Sequence, residues 1–579
     1  MAPCTTSPQR CGNARITLTR GLPLAIVLGF AACTTPLPQE RPDNAQPQPA
    51  TASPSPDGRT DSLDALKQFR NAKLLSSQAH YEAIANRPTV LPQPPSLERY
   101  PQVNDNGVHL AATHPVSTFA VDVDSAAYAN ARRQLNAGRL PQSDAVRVEE
   151  FINYFTYDYP TPKPGQPFSI STELGPSPWN ADRALLLVGL QGYEKAPEDL
   201  PAANLVFLID VSGSMNSPNK LGLLKSSMKL LASKLRPQDT ISIAVYAGAA
   251  GTVLEPTSGS DKRSIIAAID ALAPGGSTNG EAGIHLAYSL AQASFNKDGI
   301  NRVLLATDGD FNVGTQNTDA LGTLIERKRQ SGVALSVLGF GAGNYNDALM
   351  QELAQKGNGN AAYIDSIHEA RKVLIEEMGS TLEIIAKDVK IQVEFNPANV
   401  REYRLIGYET RALEREDFNN DSVDAGELGA GHSVTALYEL TLADAKAPSV
   451  DDLRYTSPEQ TRRKRDDRTA ELAHVKLRYK APTGDRSKLV SRVVQQRDAQ
   501  ADITATSNNY RFAASAAAFG QLLRNSHYTA KFTFQDAAQL AKTARGRDEN
   551  GYRREFEQLL LSASELAAVQ RVSDPLSMR

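Results

Sequence analysis

The middle of the chain predicts an α/β domain built on a doubly wound parallel sheet, and three observations carry that prediction. Between about residues 202 and 375, short apolar runs alternate with amphipathic segments. The runs are continuous rather than alternating apolar and polar, as in strands covered by helices on both faces. Polar residues that no strand needs stand at the C-terminal ends of two runs, where open α/β sheets bind their ligands.

The elements follow in order. "NLVFLID" (204–210) reads as a strand and "KLGLLKSSMKLLASKL" (220–235) as an amphipathic helix. "TISIAVYAG" (240–248) is a strand, and "DKRSIIAAIDALA" (261–273) and "GEAGIHLAYSLAQASF" (280–295) are helices. The strand "RVLLATDG" (302–309), a helix at about 318–331 and the strand "VALSVLGFG" (333–341) complete the alternation. A long helix near 368–387 then closes the region.

The flanks read differently. Residues 115–201 predict an N-terminal α+β segment. In it "SDAVRVEEFINYF" is a helix with Ser143 as N-cap and Val148, Phe151, Ile152 and Phe155 on one face, and "ALLLVGLQGYE" (184–194) is a strand. Residues 388–579 predict a β-rich, sandwich-like segment followed by helices. "KDVKIQVEFNP", "HSVTALYELTL" and "AELAHVKLRYKAP" carry the strands, and "YRFAASAAAFGQLLRNS", "FQDAAQLAKTA" and "YRREFEQLLLSASELAAV" the helices.

The N-terminus reads as an export signal over 1–32. Arg10, Arg15 and Arg20 precede the apolar run "LPLAIVLGFAA", too short to span a bilayer comfortably. "FAAC" resembles a bacterial lipobox, which makes Cys33 the lipidated N-terminus of the mature chain. Residues 33–61 are then a Pro-, Gln- and Ser-rich tether, followed by a helix at 62–87 and a linker to 114. By the same resemblance Thr34, in place of Asp, favours the outer membrane, so the expected location is the bacterial cell envelope, facing the periplasm.

Composition narrows the classes. The 579 residues imply several domains, and 41% apolar with 22% charged residues is an ordinary globular balance. A net charge of −3 gives no footprint for nucleic acid. The three cysteines, Cys4, Cys11 and Cys33, all lie at the N-terminus, which excludes a disulfide framework or Cys metal site in the body. The eight histidines form no HExxH pair, and no P-loop motif is present.

The stretch "LVFLIDVSGSMNS" (205–217) carries the chemistry. Asp210 ends a strand, and Ser212 and Ser214 follow at alternate positions. Asp308 in "LLATDGDFN" ends another strand, and Thr278 in "PGGSTNGEAG" stands in a Gly-rich loop before a helix. Two carboxylates and three hydroxyls on converging segments are hard oxygen ligands suited to Mg²⁺ or Mn²⁺.

D-x-S-x-S with a distant Thr and a distant Asp on this fold resembles the metal-ion-dependent adhesion site of von Willebrand factor A domains. All five positions match: Asp210, Ser212, Ser214, Thr278 and Asp308. The flanks, at 117–160 and 417–440, resemble bacterial YfbK-type von Willebrand A proteins, which carry an N-terminal domain and a C-terminal domain of unknown function. The resemblance implies a metal with an open position, completed by an Asp or Glu carboxylate of a partner protein, and adhesion rather than catalysis. Mg²⁺, with Mn²⁺ as the alternative, is the implied cofactor.

Three other motifs compete. Asp122 and Asp124 in "FAVDVDSAA" resemble the nucleophile and acid/base pair of haloacid-dehalogenase phosphatases, which would make the protein an envelope hydrolase with the A domain as scaffold. Ala126 stands where Thr or Val is usual, and the pair reads better as turn or domain-contact residues. "DFNNDSVDAGEL" (417–428) mimics a calcium loop but has Ser422 and Leu428 where Gly and Glu are needed, so it reads as a solvated acidic loop. "TRRKRDDR" (461–468) mixes signs and reads as a solvent-facing loop.

Overall fold

The structure is a computed structural model of the chain and describes residues 98–276, 280–309, 318–377, 383–445, 448–450 and 470–573. The expected leader, Cys33 with its tether, the helix at 62–87, Thr278 and the run at 461–468 lie outside these residues.

The N-terminal flank forms β1 (His109–Leu110), β2 (Val116–Ala120), α1 (Ala126–Asn136), α2 (Val148–Asn153), β3 (Phe168–Pro176) and β4 (Ala184–Gly192). The helix expected from Ser143 starts later. Ser143–Ala145 is a separate single turn, and Arg147 precedes α2 without a side-chain cap. Val148, Phe151, Ile152 and Phe155 are nonetheless all buried, as their spacing predicts.

The α/β domain follows: β5 (Ala203–Asp210), α3 (Leu223–Lys234), β6 (Thr240–Tyr246), β7 (Ala250–Ser258), α4 (Lys262–Ala271), α5 (Gly280–Ala293), β8 (Ile300–Thr307), α6 (Thr318–Arg329), β9 (Ala334–Phe340), α7 (Asp347–Lys356), β10 (Ala361–Ile364) and α8 (Ile367–Arg371). The strand order is β10-β9-β8-β5-β6-β7. All neighbours are parallel except β7, which returns antiparallel beside β6 at one edge. β5 is buried along its whole length. Val206 and Leu208 enter one core layer, and Leu205, Phe207 and Ile209 the opposite one. Burial on both faces is why its sequence is continuously apolar. The helix expected over 368–387 stops early, ending in a wide turn at Lys372–Glu376. Residues Ile384–Phe395 are instead strand β11, as the β-branched run "DVKIQVEF" favours.

The C-terminal flank continues with β12 (Val400–Ile406), β13 (Gly426–Gly429), β14 (Ser433–Leu442), β15 (Glu471–Lys480), β16 (Ser487–Gln495), α9 (Asn508–Leu523), α10 (Phe534–Thr543) and α11 (Tyr552–Ser573). The two flanks, read from sequence as separate segments, share their sheets. One sheet runs β1-β12-β14-β4-β3; the other runs β13-β11-β15-β16, with β2 on β11. The register Ile391↔Phe119 therefore joins strands on either side of the α/β domain. Phe119, Val188, Val393, Tyr438 and Leu477 fill the space between the sheets. On the outer face of β4 and β14, Leu185, Leu187 and Leu437 meet α1, α2 and α9 to α11.

Buried ion pairs fasten this assembly to the α/β domain. The Arg132 side chain is 2% exposed and donates to Asp365 at 2.5 and 2.9 Å, to Glu369 at 2.8 Å and to Glu555 at 3.1 Å. It thereby ties α1 to α8 and α11. Arg147 donates to Glu150 and to Asp347 at the start of α7, both at 2.5 Å.

Candidate metal centre

Asp210 closes β5, and its carboxylate is fully buried. Oδ1 accepts the backbone N–H of Ser212 at 2.8 Å, an aspartate turn that carries the chain off the strand. Oδ2 accepts the hydroxyls of Tyr246 at 3.3 Å and Thr307 at 3.4 Å. Every one of these donors is neutral. Burial pushes the Asp210 carboxyl above the usual range, and the charge of Asp308 adds to that, against the hydrogen bonds from Ser212 and Tyr246.

The next residues turn tightly through Gly213–Met215, and the Ser212 and Ser214 hydroxyls lie 3.0 Å apart. Gly213 N–H donates to the Gly276 carbonyl at 3.3 Å, and Gly275 N–H to the Val211 carbonyl at 2.6 Å. These bonds hold the Gly-rich loop against the first one. Gly276 has φ +90°, and a Cβ there would stand 3.0 Å from Gly248 N. Thr278, two residues on, lies outside the described residues.

Asp308 follows β8, beside β5 in register, and is also fully buried. Its carboxylate hydrogen-bonds the Ser214 side chain and accepts Lys220 Nζ at 2.8 Å. Burial is the largest influence and opposes its charge, but Lys220 together with the hydrogen bonds of Ser214 and Asn344 holds Asp308 below the ordinary carboxylate range. Lys220 also reaches Asn344 Oδ1 at 3.4 Å. Its methylenes cross Gly341, whose φ is +80° and where a Cβ would collide with Lys220 Cγ and Cε.

The structure thus brings together four of the five sequence-predicted ligands. The sequence reading missed Lys220, Tyr246, Thr307 and Asn344. Lys220 is hidden because it opens an amphipathic stretch, and only the glycine at 341, far along the chain, hints at what lies over it.

The donor set fits a hard divalent ion. It offers two carboxylates and two hydroxyls, all oxygen. Among the described residues no cation touches Asp210, so a buried anion is left without a counter-charge, and a dication would supply one.

In the competing acidic motifs, Asp122, Asp124, Asp421 and Asp424 are each paired with an arginine. Asp122 and Asp124 each accept Arg411 at 3.1 Å, and Asp124 also accepts the backbone N–H of Ala361 at 2.8 Å. Carboxylates held this way are contacts between the flanks and β10. In the 417–428 loop, Asp421 pairs with Arg478 at 3.4 Å and Asp424 with Arg329 at 3.0 Å.

Three family models match the chain: "von Willebrand factor" over 94–187, "von Willebrand factor type A domain" over 204–374 and "Uncharacterized protein YfbK, C-terminal" over 380–566. Uncharacterized protein YfbK of Escherichia coli (strain K12) is 50% identical over 474 residues, spanning 80% of this chain and 81% of that protein. A stretch of 156 residues is 30% identical to inter-alpha-trypsin inhibitor heavy chain H2 of Mesocricetus auratus, 25% of this chain and 16% of that one. Among solved structures, von Willebrand factor type A from Catenulispora acidiphila aligns with a TM-score of 0.37 at 14% identity, over 68% of this chain and 89% of that one.

Proposed function

Because the chain belongs to the YfbK family of von Willebrand factor type A proteins, we propose that its A domain is a divalent-metal-dependent protein-binding module. Asp210, Ser212, Ser214, Thr278 and Asp308 hold Mg²⁺ or Mn²⁺. The ion supplies an electrophilic position for an Asp or Glu carboxylate of a partner protein. The observation that carries this reading is the buried Asp210 carboxylate, met only by neutral donors.

This chain's own residues set the terms of binding. Ser212 N–H, Tyr246 and Thr307 fix the Asp210 carboxylate before any ion arrives, which lowers the ordering cost of binding. Lys220 cancels one of the two acidic charges at Asp308. A bound dication is then not fully neutralised by the protein, and an anionic partner group completes the balance.

The same reading places the module in the bacterial envelope. Cys33 carries the lipid, residues 33–61 form the tether, and the outer membrane is the anchoring surface, on the strength of "FAAC" and Thr34. The module binds rather than catalyses, since Asp122 and Asp124, the pair offered for hydrolysis, are held by Arg411.

Capture of envelope proteins on the immobilised chain tests the function. Capture that needs Mg²⁺ or Mn²⁺, is lost in EDTA and is lost in Asp210→Ala is the expected result. Capture untouched by EDTA and by Asp210→Ala overturns the metal bridge.

A further inference from the structure

Away from the metal centre, a cavity of about 420 Å³ lies between the α/β domain and the flanking sheets, within the roughly 300–1,000 Å³ range of small-ligand sites. Its floor is apolar: Leu304 and Leu338 from the sheet, with Val373 and Leu374. Its walls are charged, and most of those charges already have partners. Asp122 and Asp124 are held by Arg411, and Asp424 by Arg329.

Glu326 faces solvent, which leaves two inner charges. Arg302, on β8, is 3% exposed; its Nη1 donates to the Ser336 hydroxyl at 2.6 Å, and its Nε has no partner. A guanidinium so deep with one neutral acceptor is far from satisfied. Glu427, on β13 of the C-terminal flank, lines the same cavity and makes no hydrogen bond or ion pair among the described residues. The two attract each other through space without touching. Burial pushes the arginine down to about 10 and the glutamate up to about 7, as expected of charges lacking close partners.

We infer that this cavity binds a small zwitterion with an aliphatic body, an apolar α-amino acid, with its carboxylate on Arg302, its ammonium on Glu427 and its side chain over Leu304 and Leu338. A carboxylate suits Arg302 because the free Nε–H and the guanidinium edge form a planar, charge-assisted pair of donors. A lone anion would leave Glu427 unmet, and a lone cation would leave Arg302 unmet. Arg302 belongs to the α/β domain and Glu427 to the flank, so the ligand bridges the two. This inference is independent of the metal reading.

The test is calorimetry and thermal unfolding of the full chain with L-leucine. L-leucine should bind at millimolar concentration or below and raise the melting temperature. 4-Methylpentanoate, which lacks the ammonium, and 3-methylbutylamine, which lacks the carboxylate, should each bind at least about tenfold more weakly. Arg302→Met and Glu427→Gln should each lose at least about tenfold in leucine affinity while melting no lower than wild type without ligand. No binding of L-leucine overturns the inference, as does equal binding of 4-methylpentanoate. So does a loss of stability in both single variants that the double variant does not deepen, which would mark an ordinary internal ion pair.

Discussion

Two pairs of aspartates follow strands in this molecule, and they are satisfied in opposite ways. Asp122 and Asp124 share one guanidinium, Arg411, and Asp124 takes a backbone N–H as well. The pair joins the flanks to β10, although burial and the neighbouring Asp122 charge still push the Asp124 carboxyl up to about 8 against Arg411. Asp210 and Asp308 sit deeper, both fully buried, yet only Asp308 has a cation, Lys220. Asp210 is positioned by neutral donors and keeps its charge unmatched. The difference separates a structural cluster from a site. Both pairs are acidic and stand at strand ends; Asp122 is partly exposed while Asp124, Asp210 and Asp308 are buried, and only at Asp210 is a cation missing among the described residues.

The largest effect should come from breaking the satisfied pair. Arg411→Met leaves Asp124 with only the Ala361 N–H and the partly exposed Asp122 without its cation, and should cost about 3 kcal/mol, read as a lower denaturation midpoint, while Mg²⁺ affinity stays near wild type. A variant that keeps its midpoint would mean that the ion pairs at Asp122 and Asp124 contribute little.

The next effect tests the half-satisfied pair. Lys220→Met removes a positive charge 2.8 Å from Asp308 Oδ2, so Mg²⁺ should bind at least about tenfold more tightly in calorimetry. Weaker binding would show that Lys220 supports the ion rather than competing with it. Gly341→Ala acts on the same contact from beneath. With φ at +80° and Lys220 lying over it, the substitution should cost about 1–2 kcal/mol in denaturant unfolding. An unchanged midpoint would show that the loop relaxes freely. The smallest effect on resting metal affinity should come from Thr278→Ala, which should weaken partner capture more than it weakens metal binding. The reverse order would make Thr278 an ordinary structural ligand.

Much of the α/β domain is legible in the sequence because its signals are local. Strand β5 announces itself by "LVFLID", and the ligand motif follows it directly. The edge strand β7 escaped because "AGTVLEPTS" is half-exposed, carries a proline and resembles a loop. Strand β10 has four residues and carries little pattern; helix α7 does carry one, with Leu349, Met350, Leu353 and Ala354 on its buried face, and was missed all the same. The shared sandwich was unreadable for a different reason. Pairing Ile391 with Phe119 links residues far apart in sequence, and neither strand carries a mark of its partner. At the site, Asp210, Ser212, Ser214 and Asp308 were readable from residue type and spacing. Lys220 was not, since its role depends on a side chain crossing Gly341, a contact made only in three dimensions.

The central claim is that Asp210 lacks a counter-charge that a divalent ion supplies. Titration of Mg²⁺ into wild type and Asp210→Ala, followed by calorimetry on folded samples of both, tests it most directly. One ion per chain on wild type and none on Asp210→Ala, with the sheet intact in both, is the predicted result. Equal Mg²⁺ affinity in the two proteins would contradict it.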